Sequence, residues 1–512
     1  MPTGWETFPI EFRGGLISNL SPLQQGINAV GSATILQNYE PTVEGGYRKV
    51  YGYNKYIETE VSGTGPLLGV KVVDSDYTIA VRQNGSASRY HLHNGASWST
   101  LGTAGGLGGR VKFTEFNFNG VDKIAFVDGT NFPAIYENSG KTLTFLTSAP
   151  TDVQAATDVV MFKSHLFYAK DDMLTFTAPY DETSFSAAAG AGTIRVGSDI
   201  VGLVVFRSNL IIFSRDRIMQ LAGNTIADFA MAPITERSGC INAHTIKEIG
   251  GDIMYLAPDG FRLLSATDRI GDFALEVASD KIRKDAASFL ASSDTLFATV
   301  VRSKSQYRVF AYESSAQRSA GRGLIATKFS DQGASRIDWS TLRGFKVYSA
   351  DSKYLDNQEI ILYGMDNGYV YQGERVSSFD GDEIEAIYES PYMPINDPQK
   401  RKTLYKMSLY VNPLGALGLK CSIKFDFDKI NGAKVIQPPP FTFTGSGTQV
   451  FFYGDDTSVY GTAVYGGSLD KIYNNQLIGS GKTFAIRFEE TSTNPPHTLD
   501  AAVIEYMQLD RQ

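Results

Sequence analysis

A short glycine-rich segment near the C-terminus has the residues of a partial phosphate-binding loop. Gly479-Ser480-Gly481-Lys482-Thr483 matches the end of a loop that cradles phosphate through backbone N–H groups. The complete pattern needs a glycine five residues before Gly481, where this chain has Gln476. The pattern must also open a helix, whereas Phe484 begins an alternating run typical of a strand. We therefore interpret the segment as a hairpin turn and expect no nucleotide site.

Histidine and acidic residues do not complete a metal site either. His91 and His93 lie two residues apart on a predicted strand, so they share a face, but no third ligand is close in sequence. An acidic cluster without the spacing of a calcium loop is formed by Asp380, Asp382, Glu383 and Glu385. We interpret the histidines as ordinary strand residues and the acidic cluster as a solvated linker. No metal and no cofactor are expected.

The chain lacks the motifs of common nucleophilic and metal-dependent enzymes. G-x-S-x-G, H-E-x-x-H and C-x-x-C are all absent from the sequence. The two cysteines, Cys240 and Cys421, are too far apart to indicate a disulfide framework or a zinc site. No catalytic residue is therefore predicted.

The densest run of positive charge is Lys400-Arg401-Lys402, which follows three prolines. It is the one partner-contact site that the sequence suggests, and it could bind an acidic protein or DNA. The alternative is a loop whose three charges are only solvated.

The composition indicates a β-rich chain. Of 512 residues, 50 are Gly, 27 Tyr and 31 Phe, while only 20% are charged. Helical bundles and coiled coils are instead rich in Ala, Glu, Lys and Leu. The net charge of −8 argues against a protein that wraps nucleic acid, because that requires surplus Lys and Arg. The N-terminus has no basic and apolar signal-peptide pattern, and the apolar stretch 200–213 is too short to span a bilayer, so we expect synthesis in the cytosol.

A repeat of predicted hairpins runs through the middle of the chain. Residues 162–166 (FKSHL) and 206–210 (FRSNL) match at an offset of 44, and each is followed by an apolar strand and a charged turn. Predicted strand centres fall near residues 79, 124, 166, 210, 253, 308 and 361, the first five of them 42–45 residues apart. Short hairpins with such a period are typical of propeller blades. The sequence predicts a six- or seven-bladed β-propeller; unrelated hairpins in one large sandwich are the alternative.

The two ends of the chain differ from this repeat. After about residue 380, strands alternate strictly, as in Ile423, Phe425 and Phe427, which predicts an antiparallel β-sandwich with one buried face. The first 60 residues are glycine-rich yet carry buriable Tyr and Leu, so an ordered arm is expected. The all-β chain is thus divided into an N-terminal arm on the propeller or on a neighbouring subunit (1–60), a propeller (61–380) and a separate C-terminal sandwich (381–512).

Several segments together resemble the tail nozzle or hub proteins of short-tailed bacteriophages, also called tail stabilisation or head-completion proteins. The similar segments lie in the arm (residues 12–16, Asn38 and 45–53), in the middle (203–206, 221–223, 238–240 and 253–261) and near the C-terminus (453–454, 460–461, 465–466 and 479–481). The last group departs from the family, which more often has Trp-Gly where this chain has Tyr-Gly.

The resemblance implies a structural virion protein and no enzyme. It implies a homohexameric ring in the virion tail, assembled in the host cytoplasm below the portal and its adaptor ring. That ring would continue the DNA ejection channel, let double-stranded DNA pass without specific binding, and carry a tail needle, spikes or fibres. The resemblance carries over no catalytic, cofactor or metal residues, and it implies no membrane insertion by this chain.

Two other functions remain open on the sequence. One is a carbohydrate-binding or glycoside-hydrolysing propeller, with carboxylates at the predicted turns such as Asp171, Asp172 and Asp259. The other is a cytosolic interaction propeller, which is disfavoured by the missing Trp-Asp blade signature.

Overall fold

The computed structural model describes residues 4–265, 277–292, 295–331, 334–430, 433–434, 437–445 and 471–509. Antiparallel strands dominate this part of the chain, and its helices are short. None of the helices within these ranges is long and apolar enough to cross a membrane.

The N-terminal arm is ordered and consists of one helix and five short strands. Its elements are β1 (Glu6–Glu11), α1 (Pro22–Asn28), β2 (Ile35–Gln37), β3 (Tyr39–Pro41), β4 (Tyr47–Lys49) and β5 (Tyr53–Lys55). Helix α1 begins where the Ser21 side chain accepts from Gln24 N, with Pro22 in the first turn. Strands β1, β2, β4 and β5 each pair with a strand from elsewhere in the chain, and β3 pairs with β4.

The next four sheets each contain four antiparallel strands in chain order, which is the construction of a propeller blade. Blade 1 is β6 (Leu67–Val72), β7 (Thr78–Asn84), β8 (Ala87–His93) and β9 (Trp98–Thr103). Blade 2 is β10 (Lys112–Phe118), β11 (Val121–Val127), β12 (Ala134–Glu137) and β13 (Thr142–Phe145). Blade 3 is β14 (Asp158–Phe162), β15 (His165–Lys170), β16 (Met173–Phe176) and β17 (Gly192–Arg195). Blade 4 is β18 (Ile200–Phe206), β19 (Asn209–Ser214), β20 (Ile218–Ala222) and β21 (Ala230–Thr235).

A three-stranded sheet and two further blades complete the ring. The sheet is β22 (Lys247–Ile249), β23 (Asp252–Ala257) and β24 (Gly260–Leu263), and it precedes α2 (Arg283–Leu290). Blade 5 is β25 (Leu296–Val301), β26 (Gln306–Ala311), β27 (Arg322–Asp331) and β28 (Ala334–Arg343). Blade 6 is β29 (Val347–Leu355), β30 (Gln358–Met365) and β31 (Val370–Gly373), and its outer strand is β5 of the arm. Short 3-10 turns occupy Ala187–Ala189, Ala243–Thr245, Asp280–Ile282, Arg302–Lys304, Arg318–Ala320 and Asp426–Asp428.

These sheets confirm the predicted propeller. Six blades have four strands, with the three-stranded sheet between blades 4 and 5, and all seven predicted strand centres fall on the second strand of a sheet. The matched turns of the repeat have the same backbone: Lys163 and Ser164 have φ of 47° and 67°, and Arg207 and Ser208 have 46° and 67°. Two successive residues of positive φ are typical of the tight turn that suits the twist of paired strands.

Apolar contacts between neighbouring blades close the ring. Separate buried clusters join blade 1 to 2, 2 to 3, 3 to 4, and 5 to 6. A further cluster joins blade 6 back to blade 1, with Leu362 and Val370 packed near Leu67 and Val70. The sheets therefore pack face to face around the ring.

The C-terminal region forms two more antiparallel sheets. Its strands are β32 (Ile384–Glu389), β33 (Lys402–Pro413), β34 (Leu417–Phe425), β35 (Lys429–Ile430), β36 (Ala433–Lys434), β37 (Phe441–Gly445), β38 (Ile472–Gln476), β39 (Ser480–Gly481), β40 (Phe484–Ser492) and β41 (His497–Gln508). One sheet has the order β3-β4-β41-β33-β38, and the other contains β32-β40-β34-β37. Both contribute to one buried core, where Met407 and Ile504 of the first sheet share a cluster with Ile486 and Phe488 of the second.

The sandwich is continuous with the propeller rather than separate from it. Strand β2 of the arm pairs in parallel with β28 of blade 5 at Gln37–Thr341 and antiparallel with β32 through three residues. Blade 5 and the second C-terminal sheet thereby become one nine-stranded sheet. The arm also adds β1, β3 and β4 to the first C-terminal sheet. Sequence alternation cannot reveal this connection, because it depends on pairing between residues about 300 positions apart.

We expect Tyr53 to report on how strongly β5 closes blade 6. The Tyr53 ring is fully buried among Phe345, Tyr363, Tyr371 and Phe379, and its hydroxyl donates to Gly344 O at 2.6 Å. Tyr53→Ala should lower the free energy of unfolding by about 3–5 kcal/mol, because it leaves a cavity in a packed core. Tyr53→Phe should cost only ~1 kcal/mol, the value of one hydrogen bond.

Urea unfolding of the full chain measures both variants. The matched control is Tyr354→Ala on the same blade, where a 48% exposed ring should cost no more than ~0.5 kcal/mol. If Tyr53→Ala were as stable as this control, β5 would not close the blade.

Candidate functional site

The centre of the propeller is crossed by the side chain of Arg110, which precedes blade 2. Its guanidinium donates to Tyr348 O at 2.8 Å on blade 6 and, beside blade 5, to Thr295 O at 2.8 Å and Leu296 O at 3.3 Å. The group also lies 4.4 Å above the Tyr348 ring. A planar group with several fixed donors can satisfy several carbonyls at once, so Arg110 ties blade 2 to blades 5 and 6 across the propeller axis.

Ion pairs connect the first strands of neighbouring blades around this axis. Lys71 of blade 1 lies 3.1 Å from Asp351 of blade 6 and 2.8 Å from Glu115 of blade 2. Lys112 of blade 2 lies 3.6 Å from Asp158 of blade 3 and donates to a carbonyl of the turn before β22. Burial alone would raise the pKa of Asp351, but the charge of Lys71 and a hydrogen bond from Val72 N lower it. The ionised form of Asp351 is therefore favoured by its partners.

Three basic side chains surround the ring of Phe297 on blade 5. The His244 ring stacks on it at 5.2 Å, the Lys247 ammonium lies 5.5 Å from its centroid, and Arg110 lies 5.9 Å from it. Burial and the charge of nearby Lys112 lower the pKa of Lys247 to about 8. Burial, together with Lys112, Arg110 and Lys247, also holds the pKa of His244 well below its usual value. Near neutral pH the positive charge beside Phe297 is therefore carried by Lys247 and Arg110, because the lowered pKa leaves His244 neutral.

The carboxylates at the axis do not resemble the carboxyl pair of a glycosidase. A glycosidase needs two carboxyl groups free to act on a bound sugar, whereas Asp158, Asp351 and Glu115 each have a lysine partner. Among the described residues no group of three or more His, Cys, Asp or Glu side chains could hold a metal ion.

A second network, centred on the fully buried Glu40 and Arg308, joins the arm to the propeller. The Glu40 carboxylate of β3 accepts from Arg48 at 2.8 Å, Lys304 at 2.7 Å and Arg308 at 3.0 Å. Glu374, which follows blade 6, pairs with both Lys304 and Arg308. Burial would raise the pKa of Glu40, but these three cations hold it far below its ordinary value.

A third network joins the arm to the C-terminal sheets. The Tyr39 hydroxyl lies 2.8 Å from His497 Nε2, and His497 Nδ1 lies 3.1 Å from Glu490 Oε2. Lys49 Nζ lies 3.4 Å from the same carboxylate oxygen. The order tyrosine, imidazole, carboxylate resembles a catalytic relay, but all four side chains are buried, so no substrate reaches them. The network holds the arm against the C-terminal sheets.

The three residues of the basic run 400–402 differ in their exposure to solvent. Lys402 begins β33 and is only 2% exposed, and its ammonium donates to Asp397 O and, at 3.4 Å, to Lys482 O. Arg401 is exposed and donates to Ser480 O at 3.0 Å, while Lys400 is half-buried. Lys402 therefore supports the local backbone. Contact with a partner stays a prediction for Lys400 and Arg401.

The glycine-rich segment 479–483 contains the short strand β39, and residues 482–483 lead from it into β40. The predicted hairpin turn is wrong, because β39 pairs with β33 while β40 pairs with β32 and β34. The backbone N–H groups of Lys482 and Thr483 donate to Asp426 Oδ1 at 2.8 and 3.0 Å. A carboxylate of the chain itself thus occupies the donors that a phosphate would require.

The other residues singled out in the sequence have structural partners. Asp172 pairs with Arg195 in blade 3 and Asp259 with Arg262 beside β24, so these carboxylates lie in different sheets. Asp380 and Asp382 pair with Arg318, and Glu385 accepts from Gln37. Three of these residues are thus tied to blade 5 or the arm, while Asp382, Glu383 and Glu385 are exposed to solvent, as predicted. His91 is buried, which lowers its pKa to about 4.

Sequence reasoning missed the residues at the axis. Each is a charged side chain on or beside an otherwise apolar strand: Arg110, Lys71, Lys112, Asp158, Lys247 and Asp351. A charge inside a predicted inner strand was the available signal, but the partners come from other blades and cannot be assigned without the closed ring.

Comparisons with known proteins give only weak similarity to two solved structures. No protein-family model and no curated protein matches the chain. Among solved structures, U3-55K is 11% identical and matches over 61% of this chain and 96% of its own, with a TM-score of 0.38. The extracellular domain of a hybrid two-component system from B. thetaiotaomicron is 10% identical over 66% of this chain and 46% of its own, also with a TM-score of 0.38.

We expect the Glu490 network to make the chain sensitive to acid. Burial raises the pKa of Glu490, but His497 and Lys49 reverse this and lower it to about 2, against ~4.3 in an unfolded chain. The stabilisation is fully present above pH ~4.3 and is lost as the pH falls towards 2, an effect of about 2–3 kcal/mol.

Urea unfolding between pH 7 and pH 2.5 measures this effect. Glu490→Gln should be less stable at pH 7, because Lys49 loses its partner, and its stability should decline less steeply with acid. Equal slopes for the wild type and the variant would contradict the assignment.

Proposed function

We propose that this chain is a structural virion protein, the subunit of a homohexameric tail nozzle or hub ring of a short-tailed bacteriophage. The ring lies below the portal and adaptor, continues the DNA ejection channel and anchors a needle, spikes or fibres. The subunit has no enzymatic activity in this role.

The observation that carries the proposal is the position of the family-like residues of the arm. Phe12 packs against Tyr388 and Phe488 of the C-terminal sheets at 5.0 and 6.0 Å. Tyr47 accepts from Gly15 N at 3.0 Å and donates to Gly31 O at 2.9 Å. These side chains are buried and join one part of the chain to another. Buried side chains that connect parts of the fold are expected in a family whose members share an architecture and no catalytic site.

The continuity of the sheets also supports a ring of rigid subunits. One strand of the arm links blade 5 to the C-terminal sheet, and buried ion pairs connect the arm to both regions. Rigid wedges of this kind can form a closed ring by repeating one contact between unlike surfaces.

A DNA path outside the propeller is consistent with the contacts at its axis. Because Arg110 and the ion pairs of neighbouring first strands meet at the axis, double-stranded DNA has no passage there. In the proposed assembly, DNA passes along the axis shared by six subunits. The net charge of −8 favours sliding, since retention on DNA requires Lys and Arg contacts to phosphate.

We expect images of the purified protein, alone and with a portal–adaptor complex, to contain six-fold rings. Negative-stain class averages and light-scattering mass measure the symmetry and the copy number. A protein that stayed monomeric beside its adaptor ring would contradict the proposal. Hydrolysis of host surface glycans by the isolated protein would instead favour the carbohydrate-active alternative.

Charge reversal at the exposed part of the basic run tests a docking contact. Lys400→Glu with Arg401→Glu should weaken binding to the adaptor complex about tenfold at low salt and less at high salt, because solvent-exposed charges are screened. Arg283→Glu with Lys284→Glu, an exposed basic pair on α2, is the matched control and should bind normally. Surface plasmon resonance at two salt concentrations measures both, and equal affinities would exclude the contact.

A further inference from the structure

The network between the arm and the C-terminal sheets contains three groups that together can form an amide bond between side chains. They are the amine of Lys49 on β4, the carboxylate of Glu490 on β40 and the side-chain amide of Asn494, which lies between β40 and β41. The side chains of Lys49 and Glu490 are 0% and 1% exposed, and Asn494 is half-buried. A lysine amine that has lost its proton is a nucleophile, and the amide carbon of an asparagine is a group that it can attack.

One carboxylate holds both of the groups that would react. Glu490 Oε2 lies 3.4 Å from Lys49 Nζ, while Glu490 Oε1 accepts a hydrogen bond from Asn494 Nδ2 at 3.1 Å. Lys49 Nζ also donates to the main-chain oxygen of Asn494 at 3.3 Å. The amine and the amide are therefore already side by side in the folded chain, which removes the entropic cost of bringing two reactants together.

The surroundings of the amine weaken its hold on the proton. Burial lowers the pKa of Lys49, although the charge of Glu490 opposes this shift. Burial would raise the pKa of Glu490, but His497 and Lys49 lower it, so this carboxylate is an ionised base in contact with the ammonium. A slow proton transfer is sufficient here, because the reaction takes place once per chain and ends in a stable amide.

The buried relay behind Glu490 has no access to a substrate from solution. The Tyr39 hydroxyl lies 2.8 Å from His497 Nε2, and His497 Nδ1 lies 3.1 Å from Glu490 Oε2. These contacts fix the orientation of the carboxylate. A base that is oriented in this way and closed to solvent can act only on groups of the chain itself.

We propose that Lys49 and Asn494 form an intramolecular isopeptide bond, with Glu490 as the catalytic base. Glu490 takes a proton from the Lys49 ammonium, and the neutral amine attacks Cγ of Asn494. The carboxyl group gives that proton to Nδ2 and removes another from Nζ, after which the Cγ–Nδ2 bond breaks. Ammonia leaves with this last proton as ammonium, so Glu490 returns to its ionised form and one amide has replaced another.

The bond connects the arm covalently to the C-terminal sheets. It closes a loop over residues 49–494, which restricts the unfolded chain and thereby stabilises the fold, as a disulfide does. The reaction requires only the folded chain, so it is independent of the proposed role in the virion.

Mass spectrometry of the purified full chain tests the bond. We expect the intact mass to be one ammonia below that of the sequence, and a tryptic digest to contain residues 49–55 joined to residues 488–511. The joined peptide is the decisive species, because cyclisation of an asparagine elsewhere in the chain also releases ammonia. At Asn494 that side reaction is blocked, since Pro495 has no backbone N–H with which to attack the amide.

Two variants identify the groups that react. Lys49→Arg retains a positive charge in the network but has no amine, so the joined peptide should be absent. Glu490→Gln removes the base and should slow formation of the joined peptide about a hundredfold. The matched control is Lys141→Met, which alters a lysine–asparagine pair in blade 2, where Lys141 Nζ donates to Asn138 Oδ1 at 2.7 Å; it should form the joined peptide like the wild type. Circular dichroism confirms that the variants are folded.

A wild-type digest without the joined peptide would overturn the proposal, whatever the behaviour of the variants. A joined peptide that persisted in Lys49→Arg would overturn it as well, because the amine would not be the nucleophile. An unchanged rate in Glu490→Gln would have the same force, since the carboxylate would then have no part in the reaction.

Discussion

The Glu40 carboxylate is the charge on which the assembly of this chain depends. It is fully buried and accepts hydrogen bonds from Arg48 in the arm and from Lys304, Gln306 and Arg308 at blade 5. Removing one partner from such a network typically costs ~3–5 kcal/mol, because the remaining charges stay buried without compensation. The buried cations of blade 5 therefore need Glu40 of the arm as their counter-charge. Once Glu40 lies beside them, the neighbouring strands are in position to pair. This constraint makes the propeller, the arm and the C-terminal sheets one structure.

Charged side chains also pair with one another at the propeller axis. These side chains come from the first strands of the blades, and their ion pairs connect one blade to the next. Such pairs fix the geometry, since each requires a partner at a set distance, but they contribute little net stability compared with apolar packing.

The features that the sequence predicted correctly depend on residues close together in the chain. The hairpin turns at 163–164 and 207–208 have the same positive φ values because turn geometry depends on neighbouring residues. The predicted alternation at Ile423 and Phe425 is confirmed by their burial on β34, whereas Phe427 lies beyond the strand in a 3-10 turn and is 43% exposed. The basic run 400–402 could not be resolved in this way, because its three adjacent charges look equivalent in the sequence. In the structure Lys402 is buried and donates to the carbonyls of Asp397 and Lys482.

By itself, the sequence determined the β-rich class, the period of the blades, the turns and the alternation of the C-terminal strands, because these follow from residues close together in the chain. Only the tertiary structure decided that β5 completes blade 6, that β2 joins blade 5 to the C-terminal sheet, and that Arg110 crosses the propeller axis. Each of these contacts unites residues separated by hundreds of positions. Such partners are selected by the closure of the ring and by the cost of burying an unpaired polar group, neither of which is written in a local pattern.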